Sequence, residues 1–291
     1  MSAQKLRALL AGGQTINMPG VYDALTGRLA EMSGFPVGFV SGYAVSAARL
    51  AAPDLGYLGA AEMADSVREV AQATDMLVVA DADTGYGNAL SARHTAQRLA
   101  AAGASGLFLE DQVWPKKCGH FAGKRVATRQ EWIAKLRAIR DLRTDGTDLF
   151  LVARTDARAA VSMPDALDRA RAATDVGVDA IFVEAPQSVE ELEEIARATP
   201  GIIRVANMVE GGRTPLLTPT ELHELGFDLI VTPLTALFAA TRAIQEAFGV
   251  LAAHGTLRDR RDLLTDFARF GDVTRIEEHQ ALDARYADPG A

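Results

Sequence analysis

Eight short apolar runs, rich in β-branched residues, alternate along the chain with stretches of helical periodicity. The runs are TINMPGV, VGFVSG, MLVVADAD, SGLFLED, LFLVARTD, AIFVEAP, IIRVAN and LIVTPL. Most are continuously apolar and do not alternate with polar residues, which is typical of parallel strands that helices cover on both faces. The pattern therefore predicts an α/β fold, either a closed (β/α)8 TIM barrel or an open doubly wound sheet.

Polar side chains follow almost every apolar run, and this favours the barrel. They are Ser41, Asp81, Asp83, Glu110, Asp111, Arg154, Asp156, Glu184, Asn207 and Thr232. A barrel brings the carboxyl ends of all its strands to one rim, whereas an open sheet leaves its outer strands far from any common crevice. We therefore predict a (β/α)8 barrel with its functional site at that rim.

The helical stretches carry recognisable start signals. A Ser or Thr three residues before a Glu predicts helix starts at Thr128, Ser188 and Thr218, the last with Pro219 at the first helical position. No repeat, low-complexity tract or flexible linker divides the 291 residues, which predicts a single domain over 1–291. Residues 235–291 exceed what a minimal barrel needs, so we expect them to form a C-terminal helical extension.

Composition and charge exclude several classes of partner. The formal net charge of −8 argues against a nucleic-acid or anionic-membrane partner, because such proteins carry clustered lysine and arginine. No apolar run approaches the roughly 18 residues that span a bilayer, and the charged N-terminus does not resemble a signal peptide. A single cysteine excludes an internal disulfide framework and suits a reducing compartment. We expect a cytoplasmic protein without a nucleic-acid or membrane partner.

An acidic pair follows the third run, in VVADADTGYGNA. Asp81 and Asp83 are two residues apart, so their side chains point to the same side of the strand. Two adjacent carboxylates repel each other unless a cation or a shared proton offsets their charge. Oxygen ligands of this kind suit Mg²⁺ or Mn²⁺, and Glu110 at the end of the next run could supply a third carboxylate.

Three other interpretations of this segment are weaker. An EF-hand loop that starts at Asp81 would need glycine and glutamate where Tyr86 and Ala92 stand. A dinucleotide fingerprint from Gly85 lacks its third glycine, and the two aspartates would repel a pyrophosphate. Either aspartate alone could merely cap a helix, but this does not account for acids at several strand ends.

The only cysteine lies in the loop LEDQVWPKKCGHFAGK. A lone cysteine is most often a small buried hydrophobe. Here Lys116, Lys117 and His120 surround Cys118 in a polar segment with Gly119 and Gly123, and their charges would favour the thiolate. No nucleophile signature accompanies it, so we interpret Cys118 as a general acid or base on a loop that covers the substrate.

The loop also carries a resemblance. KKCGH directly after EDQ resembles the signature of the isocitrate lyase/phosphoenolpyruvate mutase superfamily. Further agreement in the same order comes from PGVYDALTGRLAEMSGF, VSGYAVSAARLAAPDLGY, DADTGYGNA, VARTDA and NMVEGGRTPLLT. The length is similar to that of the short bacterial members, the methylisocitrate and 2,3-dimethylmalate lyases. The resemblance implies a Mg²⁺-dependent barrel that forms homotetramers by exchanging a C-terminal helix.

The resemblance also implies roles for individual residues. Asp81 matches the direct metal ligand, and Asp54, Asp83 and Glu110 match acids that hold its water shell. Cys118 matches the acid/base of the loop, with Lys116, Gly119 and His120 beside it. The positions that match substrate contacts are Ser41, Gly42, Tyr43, Arg154, Glu184, Asn207 and Thr214. From the residues alone, Arg154 could instead pair with a rim carboxylate, His120 could only orient the loop, and Asn207 could bond locally to backbone.

The implied reaction is cleavage of a carbon–carbon bond. We expect a 2-hydroxy-dicarboxylate of the 2-alkylmalate or 2-methylisocitrate type to give pyruvate or a related 2-oxo acid plus a carboxylate. Tyr43 stands where methylisocitrate lyases carry a glycine, which favours a smaller substrate. The alternatives are a carboxyphosphonoenolpyruvate mutase, an oxaloacetate hydrolase, which Pro233 in place of a serine disfavours, and an inactive binding relative.

Overall fold

The computed structural model describes residues 2–117 and 123–287. Eight parallel strands close a barrel in the order β1 to β8, as predicted, and each strand lies in one of the eight apolar runs. The strands are β1 (Ile16–Val21), β2 (Val37–Val40), β3 (Leu77–Asp81), β4 (Gly106–Glu110), β5 (Phe150–Thr155), β6 (Ala180–Val183), β7 (Ile203–Asn207) and β8 (Leu229–Thr232).

Thirteen α-helices are present in the described part of the chain, together with 3-10 turns at Asp141–Arg143 and Arg261–Leu263. The helices are α1 (Ser2–Ala11), α2 (Ala24–Met32), α3 (Gly42–Leu50), α4 (Ala60–Ala73), α5 (Ala89–Ala101), α6 (Arg129–Arg140), α7 (Ala157–Ala160), α8 (Met163–Val176), α9 (Val189–Ala198), α10 (Pro219–Glu224), α11 (Thr235–His254), α12 (Phe267–Val273) and α13 (Ile276–Tyr286).

The predicted helix starts are confirmed. Thr128, Ser188 and Thr218 are the N-caps of α6, α9 and α10, and each side chain accepts a hydrogen bond from the backbone N–H three residues later. Pro219 occupies the first position of α10. A backbone N–H at this position has no partner within the helix, so the lack of one in proline costs no hydrogen bond.

The hydrophobic core has two layers. One lies between the strands and the surrounding helices, and its largest buried side chain is that of Trp132 on α6. The other fills the barrel interior and includes Met18, Phe108 and Val152. Leu6 on α1 belongs to this inner layer, so α1 packs against the interior of the barrel. Arg7 on the same helix pairs with Asp148 before β5 and with Asp179 before β6, which fixes α1 at the amino ends of the strands.

The parallel register brings the polar strand ends together. Glu110 on β4 pairs in register with Arg154 on β5, and the other polar residues also stand at carboxyl ends of strands. The predicted site residues are therefore presented at one rim, where a barrel gathers side chains from several strands.

Residues 1–236 and 237–291 form two compact units. The second contains most of α11 and all of α12 and α13, and none of these helices has a buried residue. By length and composition alone α11 could cross a membrane, since an 18-residue window has a mean hydropathy of 1.2. The expectation that no segment reaches this length was therefore wrong, because the charges of Arg242 and Glu246 do not outweigh the apolar residues around them.

Candidate active site

A cavity of about 540 Å³ opens among side chains from the carboxyl ends of the strands. This volume includes space that is open to solvent. Nine of the residues predicted from the sequence line it together: Ser41, Tyr43, Asp54, Asp81, Glu110, Lys116, Arg154, Glu184 and Asn207. Four of these side chains stand at the ends of β3, β4, β5 and β7, one is on α3, and four lie in segments that follow β2, α3, β4 and β6, so no local stretch of sequence could bring them together.

Three phenyl rings that were not among the predicted site residues also line the cavity. Phe39 lies 4.8 Å from Phe108, and Phe108 lies 5.7 Å from Phe182, measured between ring centroids. Each ring is two residues before a predicted polar residue, at Ser41, Glu110 and Glu184. Strand periodicity places such residues on the same inward face, so this spacing was the signal that could have identified them.

An apolar wall completes the cavity. Val209, Val231, Pro233 and Leu234 line it, and so does Lys117. Val231 is on β8, but the other three apolar residues lie in loops after β7 and β8. Loop conformation is not encoded by periodicity, so the pattern of apolar residues could not predict that these three residues line the cavity.

The turn after β3 holds its two acids in a constrained backbone. Asp83 has a positive φ of 47°, and its backbone N–H donates to Asp81 Oδ1 over 3.0 Å. Gly85 follows with a φ of +82°, and a Cβ there would lie 2.5 Å from Ala92 Cβ. Tyr86 also has a positive φ, and its hydroxyl donates to Asp83 Oδ2 over 2.8 Å. Non-glycine residues in this region are uncommon and are concentrated at functional sites.

Lys116 supplies a positive charge inside the acid cluster. Its Nζ is 2.6 Å from Asp54 and 2.6 Å from Asp83, and the side chain is buried. Burial alone would lower the pKa of Lys116, but Asp83 and Asp54 outweigh it and raise that pKa well above its usual value. Lys116 is therefore a fixed cation at neutral pH.

The negative charges of Asp81 and Glu110 are only partly compensated by nearby cations. Burial, followed by repulsion from Asp83, raises the pKa of Asp81 above its ordinary value. Burial also raises the pKa of Glu110, and nearby Asp156 and Asp83 add to it while Arg154 opposes it. Both carboxyls therefore favour a proton or a further cation beside them.

Arg154 lies among three carboxylates. Its guanidinium is 3.0 Å from Asp156, 3.3 Å from Glu110 and 3.7 Å from Glu184. Burial alone would lower the pKa of Arg154, yet Asp156 and Glu110 raise it, so the group stays charged. The pairing with rim carboxylates that the sequence left open is present, and Arg154 lines the cavity as well.

Several buried polar atoms near the rim have no hydrogen-bond partner among the described residues. They include Glu110 Oε1 and Asn207 Oδ1, which belong to residues that line the cavity, and Asp83 Oδ1 and Thr214 Oγ1, which do not. The amide nitrogen of Asn207 donates to Glu184, so the amide oxygen of Asn207 is the atom without a partner. Unsatisfied buried atoms are rare in folded proteins, and in a cavity they indicate a place for a ligand.

Of the predicted residues within 2–117 and 123–287, three do not line the cavity: Gly42, Asp83 and Thr214. Gly42 lies beside it, since a Cβ there would be 3.1 Å from Asp81 Oδ2. Any larger residue would press against the acid, which explains a glycine at this position. Asp83 contributes through Lys116 and Tyr86.

Cys118, Gly119 and His120 lie outside the described residues, so their predicted roles stay predictions. The described residues on either side of them are well anchored. The Gln112 side chain bonds to the backbone N–H and C=O of Lys117, at 3.0 and 2.8 Å. Val113 N–H donates to the carbonyl of Arg125 over 2.9 Å, which pairs the two ends of the loop.

Comparison with known sequences identifies relatives over most of the chain. The phosphoenolpyruvate phosphomutase family model matches residues 6–252. A protein named carboxyvinyl-carboxyphosphonate phosphorylmutase, from Arabidopsis thaliana, is 48% identical over 93% of this chain and 80% of its own length. The 2,3-dimethylmalate lyase of Eubacterium barkeri is 37% identical over 98% of both chains.

Solved structures agree with these matches. A structure of oxaloacetate acetylhydrolase with 3,3-difluorooxalacetate has a TM-score of 0.92 and 33% identity, over 97% of this chain and 96% of its own. A structure of phosphonopyruvate hydrolase with oxalate and Mg²⁺ has a TM-score of 0.87 and 27% identity, over 98% and 99% of the two chains. With a family model that spans most of its length and relatives of this identity, the chain belongs to the phosphoenolpyruvate mutase/isocitrate lyase superfamily.

Proposed function

We propose that the protein is a Mg²⁺-dependent carbon–carbon lyase that acts on a 2-hydroxy-dicarboxylate of the 2-alkylmalate or 2-methylisocitrate type. The products are pyruvate or a related 2-oxo acid and a carboxylate. One observation carries the proposal: a single cavity holds the acids Asp81 and Glu110 together with the fixed cations Lys116 and Arg154. Such a cavity suits a substrate with two carboxylates that develops negative charge on oxygen.

The acids fit a Mg²⁺ ion that keeps most of its water. Among residues 2–117 and 123–287, no three His, Cys, Asp or Glu side chains are placed to chelate a metal directly. Mg²⁺ commonly binds through one or two carboxylates and several waters. Asp81 would be the direct ligand, and Asp54, Asp83 and Glu110, with its unpartnered Oε1, would hold the waters. Bound there, the ion would lower the pKa of a substrate hydroxyl.

Substrate binding draws on the start of α3. Ser41 caps this helix, and its Oγ accepts from the backbone N–H of Ala44 over 3.4 Å. Ser41 and Tyr43 both line the cavity. The amino end of a helix favours an anion beside it, so this turn would receive the carboxylate next to the reacting hydroxyl.

Bond cleavage begins with loss of the C2 hydroxyl proton, for which Tyr43 and Asp54 are the candidate acceptors among cavity residues. The C2–O bond becomes a carbonyl as the C2–C3 bond breaks, and its electron pair passes to the departing carboxylate fragment. Lys116 and Arg154 offset the charge on that fragment. Cys118 would then deliver a proton to its carbon, a role that rests on the resemblance of its loop.

The test is a substrate panel with Mg²⁺ and with excess EDTA. The panel contains 2,3-dimethylmalate, 2-methylisocitrate, further 2-alkylmalates and oxaloacetate, and released 2-oxo acid is followed with lactate dehydrogenase. We expect release only with Mg²⁺, and a loss of at least about 100-fold in kcat for Asp81→Asn. Release that survives EDTA would contradict the metal role. Oxalate and acetate from oxaloacetate alone would replace the lyase with a hydrolase.

A carbon–phosphorus mutase is the second candidate. The 48% identity to the Arabidopsis thaliana protein that bears a phosphorylmutase name favours it. Carboxyphosphonoenolpyruvate incubated with the enzyme and Mg²⁺ distinguishes the two by phosphorus NMR. A new carbon–phosphorus resonance, together with an inactive substrate panel, would establish the mutase.

A further inference from the structure

Lys124 is a buried lysine to which the proposed reaction gives no role. Its side chain is 2% exposed, and its Nζ donates to Asp156 Oδ1 over 2.6 Å. Asp156 is fully buried. Neither residue lines the cavity, and of the two only Asp156 was among the polar strand-end residues predicted to form the rim.

Asp156 holds Lys124 and Arg154 at once. Its Oδ2 accepts from Arg154 Nε over 3.0 Å, and its Oδ1 accepts from Arg154 Nη2 over 3.3 Å. Lys124 shares Oδ1 with the arginine. Two cations on one carboxylate divide its charge, so Lys124 weakens the hold of Asp156 on the guanidinium.

The backbone that carries Asp156 is held by a second acid, Asp111. The backbone N–H of Asp156 donates to Asp111 Oδ1 over 2.8 Å, and Thr155 Oγ1 donates to Asp111 Oδ2 over 2.6 Å. Arg169 on α8 also contacts Asp111, at 3.1 Å. Asp156 therefore has little freedom to follow a change in its partners.

The backbone of Lys124 is fixed by the paired ends of the loop. Gln112 and Val126 form an antiparallel bridge, and Ala127 N–H donates to the carbonyl of Asp111 over 2.8 Å. Lys124 lies two residues before this bridge. Its ammonium thus joins the described end of the loop to the carboxylate that orients Arg154.

We propose that Lys124 and Asp156 are a positioning pair that sets the guanidinium of Arg154 for an anion in the cavity. Three carboxylates surround Arg154, and without Lys124 the charge of Asp156 would draw it away from a ligand. The pair acts through Arg154 and does not touch the ligand. This inference rests on the proposed function only in assigning an anionic ligand to the cavity.

Oxalate with Mg²⁺ is a suitable probe, because its planar dianion resembles the enolate of a 2-oxo acid. Calorimetry gives its affinity for the full chain, and the substrate panel gives kcat and KM. Lys124→Met alone removes one of the two cations that pair with the buried Asp156 and could fail to fold. The double variant Lys124→Met/Asp156→Asn removes both charges together, and Lys124→Arg keeps the cation.

A purely structural pair and a positioning pair give different results in the double variant. We expect its melting temperature to stay near that of the wild type while oxalate affinity and kcat/KM each fall about 10- to 100-fold. Lys124→Arg should recover most of both. Arg7→Met removes a paired cation at the other end of the barrel, and it should leave oxalate affinity and kcat/KM unchanged.

Each outcome decides the inference. Wild-type oxalate affinity and kcat/KM in the double variant would overturn it, as would a wild type that does not bind oxalate with Mg²⁺. If the wild type binds oxalate but cleaves no member of the panel, the proposed lyase fails and the oxalate affinities still judge the positioning pair.

Discussion

At the scale of single residues, the turn after β3 shows how a backbone constraint serves the site. Gly85 and Tyr86 both have positive φ, and the Tyr86 hydroxyl holds one oxygen of Asp83 while Lys116 holds the other. Each oxygen of Asp83 therefore faces a protein group, and Oδ1, which accepts no hydrogen bond among the described residues, can still hold a water. This arrangement leaves Asp81 as the acid best placed to meet a ligand directly.

Gly85 offers a test of this constraint with a matched control. A Cβ at Gly85 would lie 2.5 Å from Ala92 Cβ, whereas Gly146 has a similar φ of +85° and nothing within 4 Å. Gly146→Ala should cost about 1 kcal/mol for the left-handed backbone alone. Gly85→Ala should cost about 2–4 kcal/mol, because a clash is added. Urea unfolding measures both, and equal losses would contradict the close packing at Ala92.

At the scale of elements, α1 closes the end of the barrel opposite the site. Leu6 packs into the barrel interior, and Arg7 donates to both oxygens of Asp148 at 2.6 and 2.8 Å. Bidentate pairs of this kind are stronger than ordinary surface pairs. The helix therefore stabilises the barrel through both apolar contact and charge.

Arg7→Met should lower the free energy of unfolding by about 1–2 kcal/mol at pH 7. The hydrogen bond from Arg7 lowers the pKa of Asp148 below its ordinary value of 3.8. A carboxyl with a lowered folded pKa contributes fully above the unfolded value and loses its contribution as the pH falls through the folded one. The difference between wild type and variant should therefore shrink below about pH 3.8.

Urea midpoints at pH 7 and pH 3 test this dependence. Arg68→Met is the control, because Arg68 pairs with Asp65 at 2.7 Å and both side chains are about half exposed. It should change stability by less than about 1 kcal/mol at either pH. A difference for Arg7→Met that is as large at pH 3 as at pH 7 would show that charge does not hold α1.

The elements were also the part of the structure that the sequence predicted best. A continuous apolar run such as LFLVARTD predicts a buried strand, and a cap such as Thr218 marks the start of a helix. Local sequence was therefore enough to predict these elements. Rim residues such as Glu110 and Arg154 followed from strand ends. The pair of Lys124 and Asp156 did not, because it joins a loop to a strand end 32 positions away and depends on loop conformation.

At the scale of the whole molecule, the helices of residues 237–291 expose many apolar side chains. Phe248 on α11 is 66% exposed and Phe267 on α12 is 98% exposed. Large contiguous apolar surfaces are rare on monomers and usually mark an interface. The homotetramer implied by the family resemblance would account for them, and it remains a prediction.

Light scattering after gel filtration tests the assembly. We expect a mass four times the 31.0 kDa of one chain. Phe248→Glu combined with Phe267→Glu should reduce that mass, because two charges would enter an apolar contact. Leu90→Glu, at an exposed apolar position of α5, should leave it unchanged. A monomeric wild type would contradict the prediction.

The three phenyl rings of the cavity, which meet at a tilt and edge to face, have a consequence for the course of the proposed reaction. Phe39, Phe108 and Phe182 continue into the hydrocarbon that fills the barrel down to α1. Water has no route to a bound molecule through that packed material. A carbanion formed above the rings is therefore shielded on its lower face, and the hydrogen it captures must arrive from the open mouth. Where that carbon becomes a stereocentre, the enzyme would release one mirror-image form of the product.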